Sequence, residues 1–306
     1  MNKPDFFLVG AAKCGTTSMY KYLRQHPEIF MPQDKEPHFF GCDLNYSSLS
    51  IKNEQEYLAL FSEAKNGQRI GEASVWYLYS EKAAEEIKNF CPSAQIIIML
   101  RNPVDMLYSL YNYFIATGRE NIADFGSALA AEKERKQGLR LPKTLYSFPQ
   151  ELLYYREIAK YTKQCQAYLD CFGKDNIHWI IFDDLLIEPE IVYKKTLKFL
   201  RVNEEFQVPF TQENKAKIRI SRSKKIQKLL KNPLSIWLVR KMMPRPNQGK
   251  LFRLIKAWDK INNKYTTPPA MNKEIRKNLQ KEFAPEVERL SELLGRDLTH
   301  WSKDTN

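Results

Sequence analysis

Apolar and polar positions along this chain follow two rhythms. Short unbroken apolar runs read as buried strands: Phe6-Phe7-Leu8-Val9, residues 95–100 and residues 177–182. Runs of that length without alternation suit a parallel sheet covered on both faces. Ile70-Gly71-Glu72-Ala73-Ser74 ends a further strand. Between these runs apolar residues recur at helical spacing. Helices are predicted after residue 18 through Met19 and Leu23, over 54–64 with Tyr57, Leu60 and Phe61 inward, and over 81–89. Others run from Pro103 through Met106, Leu110 and Phe114, then over 151–172 and 190–200. Residues 273–283 and 285–294 read as two closing helices, with Gly295 as the stop. Strands alternating with helices predict an α/β fold, a three-layer arrangement of a central parallel sheet flanked by helices.

One turn organises the rest. The first strand runs straight into Val9-Gly10-Ala11-Ala12-Lys13-Cys14-Gly15-Thr16-Thr17-Ser18, and a helix follows. Glycines at 10 and 15 admit backbone conformations that a Cβ hinders. A turn of this kind points successive N–H groups at one anion, and the helix dipole adds positive charge there. The nucleoside-triphosphate loop is G-x-x-x-x-G-K-[ST]. Here Thr16 stands in the place of that lysine, and the lysine lies inside the loop as Lys13. The loop therefore reads as a phosphate cradle for a donor other than ATP or GTP. A plain glycine turn with an exposed lysine is the alternative.

Charge changes the picture next. The net charge is +12, yet residues 215–256 alone hold fourteen Lys and Arg and no Asp or Glu. The rest of the chain is close to neutral. That segment, interleaved with Leu229, Leu230, Trp237 and Met242, implies an anionic partner: a polyanionic acceptor, a membrane surface or nucleic acid. It is expected as a basic helical excursion from a single domain spanning 1–306. No apolar run nears the ~18 residues of a membrane-spanning helix. The first residues lack the layout of a signal peptide, so a cytoplasmic protein, peripheral at a membrane, is expected. Five cysteines at irregular spacing make no disulfide framework, and no cysteine or histidine pattern points to a metal. Cys14 is either a reactive thiol or a small side chain packed under the turn.

Three further signals carry chemistry. Lys35-Glu36-Pro37-His38-Phe39-Phe40 sets a cation, a carboxylate and an imidazole beside an aromatic anchor. It is either a polar loop pinned by its phenylalanines or the source of a catalytic carboxylate. Arg101 follows a strand, where open α/β sheets bind ligands, and can hold a phosphate bidentately. Ser109, about two helical turns on, is placed to add a hydroxyl. Asp183-Asp184 after an apolar strand is similar to the acidic element of nucleotide kinases and NTPases. That keeps a kinase reading open beside a basic nucleic-acid or membrane binder.

These pieces together resemble the sulfotransferases that use 3′-phosphoadenosine 5′-phosphosulfate (PAPS), in the style of bacterial relatives of the heparan sulfate enzymes. The matching residues are the 10–18 loop, Lys35 to Phe40, Arg101-Asn102-Pro103-Val104 with Ser109, Phe182-Asp183-Asp184-Leu185, and Pro268-Pro269 through Leu298 and Trp301. The resemblance implies a sulfotransferase fold and a metal-free transfer to a glycan, glycolipid or small-molecule acceptor, with nucleic acid an unlikely partner. It implies that Lys13, Cys14, Gly15, Thr16, Thr17 and Ser18 grip the 5′-phosphosulfate, and that Lys13 neutralises charge on the leaving oxygen. It assigns Arg101 and Ser109 to the 3′-phosphate and Glu36 to the general base, with His38 as the rival base. The glycan enzymes carry a lysine where this chain has Ala73.

Overall fold

The computed structural model describes residues 2–46, 51–142, 148–210, 218–221 and 263–303. Five parallel strands form the sheet: β1 (Phe6–Gly10), β2 (Ile29–Phe30), β3 (Arg69–Ala73), β4 (Gln95–Leu100) and β5 (Ile177–Ile181), in the order β2-β3-β1-β4-β5. Helices connect them: α1 (Thr16–Arg24), α2 (Glu54–Ala59), α3 (Ala83–Phe90), α4 (Pro103–Thr117), α5 (Phe125–Ala130), α6 (Glu132–Arg135), α7 (Tyr155–Ile158) and α8 (Tyr161–Phe172). After β5 come α9 (Phe182–Ile187), α10 (Pro189–Leu200), an antiparallel pair β6 (Ile218–Ser221) and β7 (Asn263–Thr266), and α11 (Lys273–Leu294). This is the expected α/β arrangement.

Both faces of the sheet are covered, which is why its central strands carry no polar alternation. Phe6 to Val9 and Ile96 to Leu100 are fully buried. Each such side chain contributes about 1.5–3 kcal/mol on leaving water. β1 is the centre: it pairs Phe7 with Glu72 on one side and with Ile96 on the other. The chain builds β2 and β3 to one side of β1, then crosses to build β4 and β5 on the other. The reversal between β1 and β4 is a switch point, and the crevice for ligands opens at the carboxyl ends of those two strands.

Several helix predictions are corrected. The 54–64 helix stops at Ala59, although Tyr57 and Phe61 are buried as expected. Residues 151–172 are not one helix. A 3₁₀ turn (Gln150–Leu153), α7 and α8 are separated at Tyr154 (ψ 74°) and Lys160 (ψ 72°), both outside helical geometry. Conversely, 273–294 is one helix, not two. Proline ordinarily ends a helix by removing an N–H donor, yet Pro285 lies inside α11. Phe283, Val287 and Leu290 bury the same stripe on either side of it, and that packing keeps the helix continuous. The 182–185 segment opens α9, with Asp183 and Asp184 in its first turn, where the helix dipole favours carboxylates. Most of the 215–256 excursion lies outside the described residues. Its beginning, expected as helix, forms β6. No helix among the described residues is long and apolar enough to cross a membrane.

Candidate active site

The cradle begins where β1 ends. Gly15 is the N-cap of α1 at φ 87° and offers no side-chain cap. The Thr16 and Thr17 amides are thus left for an anion, while the Ser18 N–H already donates to the Gly15 carbonyl at 3.0 Å. A Cβ on Gly15 would also stand 2.9 Å from the Phe182 ring and 3.0 Å from Leu185, so α9 closes the underside of the turn. Lys13 takes a left-handed conformation as well, φ 64°. Such a backbone in a non-glycine residue costs about 1–3 kcal/mol and is kept where the surroundings enforce it. Thr16 is buried, Ser18 half-buried and Thr17 exposed.

Cys14 is a packing residue. It is fully buried, its Sγ donates to the Ala12 carbonyl at 3.4 Å, and burial pushes its thiol up to about 12. Of the two sequence readings, the small side chain under the turn holds.

Arg101 reaches the same loop from the tip of β4. Its Nη1 donates to the Lys13 carbonyl at 3.4 Å, and its guanidinium lies 4.7 Å from the centre of the Phe182 ring. Pro103 opens α4 at N1, and the Asn102 side chain caps it by accepting from the Val104 N–H. Ser109 is half-buried on that helix, and no hydrogen bond ties it to the loop among the described residues.

The 35–40 loop follows β2 and closes the third side. Lys35 Nζ donates to Thr16 Oγ1 at 3.3 Å and pairs with Glu36 Oε1 at 3.1 Å. His38 Nε2 stands 3.6 Å from Glu36 Oε2, and its ring stacks on Tyr46 at 4.2 Å. Glu36 and His38 both have positive φ, 69° and 49°. Phe40 is buried and Phe39 stacks on Tyr57, so the aromatic anchor expected from sequence is present.

The electrostatics are those of an anion site. Burial lowers the Lys13 pKa, and the nearby Arg101 charge lowers it further. Lys13, Lys35 and Arg101 therefore gather like charge at one cleft, an arrangement that a bound polyanion relieves. Burial also drives His38 down to about 4, against the Glu36 carboxylate, which pulls it up. His38 is neutral at pH 7. Among the described residues no cluster of His, Cys, Asp and Glu could hold a metal ion.

Two site residues were not visible in the sequence pattern. Lys13 Nζ lies 4.6 Å from the centre of the Tyr113 ring, and the Tyr113 hydroxyl accepts from Arg119 Nη1 at 3.2 Å. Tyr113 thus lies between two cations. Tyr113 and Arg119 lie just beyond the 101–109 signal, and no motif marks them. Asp183 and Asp184 are placed differently from the acidic element of a kinase. Asp183 Oδ2 accepts from the Trp301 indole at 2.7 Å, and Asp184 takes a two-pronged Arg296 at 2.5 and 2.7 Å. Trp301 is itself tied to Asn102, whose side chain donates to its carbonyl at 3.0 Å.

With this geometry in view, the comparisons with known proteins agree on one class. A family model described as "Sulfotransferase domain" matches residues 3–277, and the chain belongs to that family. The crystal structure of a sulfotransferase from Alicyclobacillus acidocaldarius is similar along the whole chain. Its TM-score is 0.72 at 30% identity, over 99% of this chain and all of that one. Carbohydrate sulfotransferase 15 of Homo sapiens is 32% identical over 163 residues, covering 40% of this chain and 29% of that protein. Bifunctional heparan sulfate N-deacetylase/N-sulfotransferase 4 of Mus musculus is 33% identical over 117 residues, covering 36% of this chain and 13% of that protein. The matches thus span less than a third of these curated relatives.

Proposed function

We propose that the protein moves a sulfuryl group from PAPS to a hydroxyl or amine of an acceptor, a glycan or glycolipid. The observation that carries this is the meeting of Lys13, Lys35 and Arg101 around uncapped helix amides, with the Glu36 carboxylate beside them. The cleft suits a polyanion, and the turn at Gly15 packs so closely on Phe182 and Leu185 that a Cβ there would clash with them. PAPS supplies the sulfuryl group on an oxygen of its 5′-phosphate. The amides of the 13–18 loop and Lys13 hold that end and offset the negative charge that grows on the leaving oxygen. Arg101, with Ser109 on the following helix, takes the 3′-phosphate. Glu36 accepts the proton of the attacking hydroxyl or amine as its bond to sulfur forms. His38 is the weaker candidate for that task, being half-buried, stacked and held at a low pKa. Positioning and fixed positive charge supply the remaining acceleration.

The kinase reading loses its support at Asp183 and Asp184, which are committed to Trp301 and Arg296. The proposal places the enzyme in the cytoplasm. There the fourteen cations of 215–256 meet an anionic membrane surface or a polyanionic acceptor. The test is a calorimetric titration with adenosine 3′,5′-bisphosphate in the absence of magnesium, followed by transfer of labelled sulfuryl group to cellular glycan and lipid fractions. Magnesium-dependent ATP binding with no bisphosphate binding would overturn the reading.

A further inference from the structure

Behind the loop that carries Glu36 the fold buries a second carboxyl with no part in the chemistry above. Glu72, near the end of β3, is 1% exposed. The Tyr57 hydroxyl donates to its Oε2 at 3.1 Å, the hydroxyls of Ser74 and Tyr77 lie near the carboxyl, and its buried Oε1 has no hydrogen-bond partner among the described residues.

The same three side chains run outward to the 35–40 loop. Ser74 Oγ accepts from the His38 N–H at 3.4 Å. Tyr77 Oη accepts from the N–H groups of Phe39 at 2.9 Å and Phe40 at 3.3 Å. Tyr57 lies flat on the Phe39 ring, centroids 4.1 Å apart and planes 7° from parallel. Beside Glu72, the Ala73 carbonyl accepts from the Glu36 N–H at 3.1 Å. Residue 37 is proline and has no N–H. Every amide that the loop can donate between 36 and 40 therefore ends on the exit of β3.

A hydroxyl oxygen has two lone pairs and one proton. Tyr77 Oη spends both lone pairs on the loop, which leaves its proton to turn inward, toward the side where the Glu72 carboxyl keeps an unpartnered Oε1. We propose that Glu72 is a positioning residue for the Glu36–His38 loop. It holds the Tyr57 hydroxyl and draws those of Ser74 and Tyr77 inward, so that their oxygens face the His38, Phe39 and Phe40 amides, while the adjoining Ala73 carbonyl holds the Glu36 amide. The part of this that concerns catalysis rests on the reading of Glu36 as the base.

Burial raises the Glu72 carboxyl to about 7, and the Glu36 charge adds to the rise. The titratable groups facing it are the phenols of Tyr57, Tyr77 and Tyr168 and the Glu36 carboxylate. None of these supplies a positive charge. A loop that opens lets water reach Glu72 and returns its pKa toward 4.5. Ionisation therefore favours the open loop, and the closed loop weakens as pH rises from 4.5 toward about 7.

Hydrogen exchange followed by mass spectrometry on the full chain tests this without knowledge of the acceptor. After correction for intrinsic rates, protection of the 36–40 amides is expected to fall by up to ~10²-fold across that pH window. Glu72→Gln cannot ionise, so its 36–40 protection should be flat with pH. Glu72→Ala should lose protection there selectively, with β1 and β4 unchanged. A pH step that persists in Glu72→Gln overturns the proposal. So does wild-type protection in both variants, or a loss spread evenly over the sheet. Should Glu72→Ala fail to fold, the Glu72→Gln pH profile decides alone. Adenosine 3′,5′-bisphosphate binding, measured on the same wild-type and Glu72→Gln samples, is expected to be retained. Its absence from the wild type counts against the sulfotransferase reading and leaves the loop result standing.

Discussion

Arg101 Nη1 donates to the backbone carbonyl of Lys13 at 3.4 Å, across 88 positions of sequence. One hydrogen bond joins the tip of β4 to the turn after β1, and it spans the crevice where the sheet reverses its strand order. The two charges lie near enough for Arg101 to lower the Lys13 pKa. Arg101→Ala should weaken adenosine 3′,5′-bisphosphate binding by about 10–100-fold, the equivalent of one charge-assisted hydrogen bond of ~1.5–3 kcal/mol. Calorimetry measures it. With that like charge gone, the Lys13 pKa should also move up, because Arg101 is the second-largest cause of its depression. The alkaline limb of ligand binding should then shift to higher pH.

Glu36→Gln should lower turnover by ~10²–10⁴-fold, the range for loss of a positioned base. Bisphosphate binding should be unaffected. His38→Ala should cost less, since an imidazole held at about 4 is a poor proton acceptor near neutrality. Steady-state rates with any acceptor found in the fraction screen check the order of the two. The reverse order would hand the role to His38.

Gly15→Ala places a methyl group 2.9 Å from Phe182 in a backbone at φ 87°. The strain is about 1–3 kcal/mol, and either α9 or the turn must shift. A lower melting temperature together with loss of bisphosphate binding is expected. Loss of stability with binding intact would mean that the turn does not form the cradle.

Glu72 also predicts a dependence of global stability on pH. Its folded pKa, about 7, lies above the ordinary 4.5, so the native state holds a proton that the unfolded chain releases. Its contribution to stability is present in full below pH 4.5 and is lost as pH rises toward about 7. Relative to the wild type, Glu72→Gln should therefore gain in melting temperature between pH 5 and pH 8. Scanning calorimetry at both pH values measures the difference.

The sheet was legible in the sequence because its central strands are apolar on both faces. Residues 95–100 and 6–9 could be little else. The helices were less legible wherever tertiary contacts set their ends. Nothing in the Tyr- and Leu-rich 151–172 stretch marks the breaks at Tyr154 and Lys160. Pro285 argued for a break that the buried stripe of α11 overrides. Arg101 could be picked out because it follows a strand, where an α/β sheet places its ligands, Lys13 because it lies in a glycine-rich turn between strand and helix, and Glu36 only through its resemblance to the family motif. Tyr113 and Arg119 act through ring and hydroxyl contacts made only in the folded chain, and spacing carries no trace of them. Glu72 looked like an ordinary strand-end polar residue. Its burial, its Tyr57 partner and the nearby Ser74 and Tyr77 hydroxyls come from α2 and from the turn after β3.

The attachment of Trp301 to Asn102 and Asp183 bears on how the molecule assembles. The walls of the cleft come from residues near 15, 40, 100, 180 and 300, and parallel strands add long loops that must close before their contacts give anything back. A growing chain can lay down β1 and its turn early, yet the latch on the β4 and β5 tips waits for α11 and the 3₁₀ turn that follows it, Thr299–Ser302. Competence to hold a ligand is then among the last properties the protein acquires, and shortened fragments that still collapse would be expected to lack it.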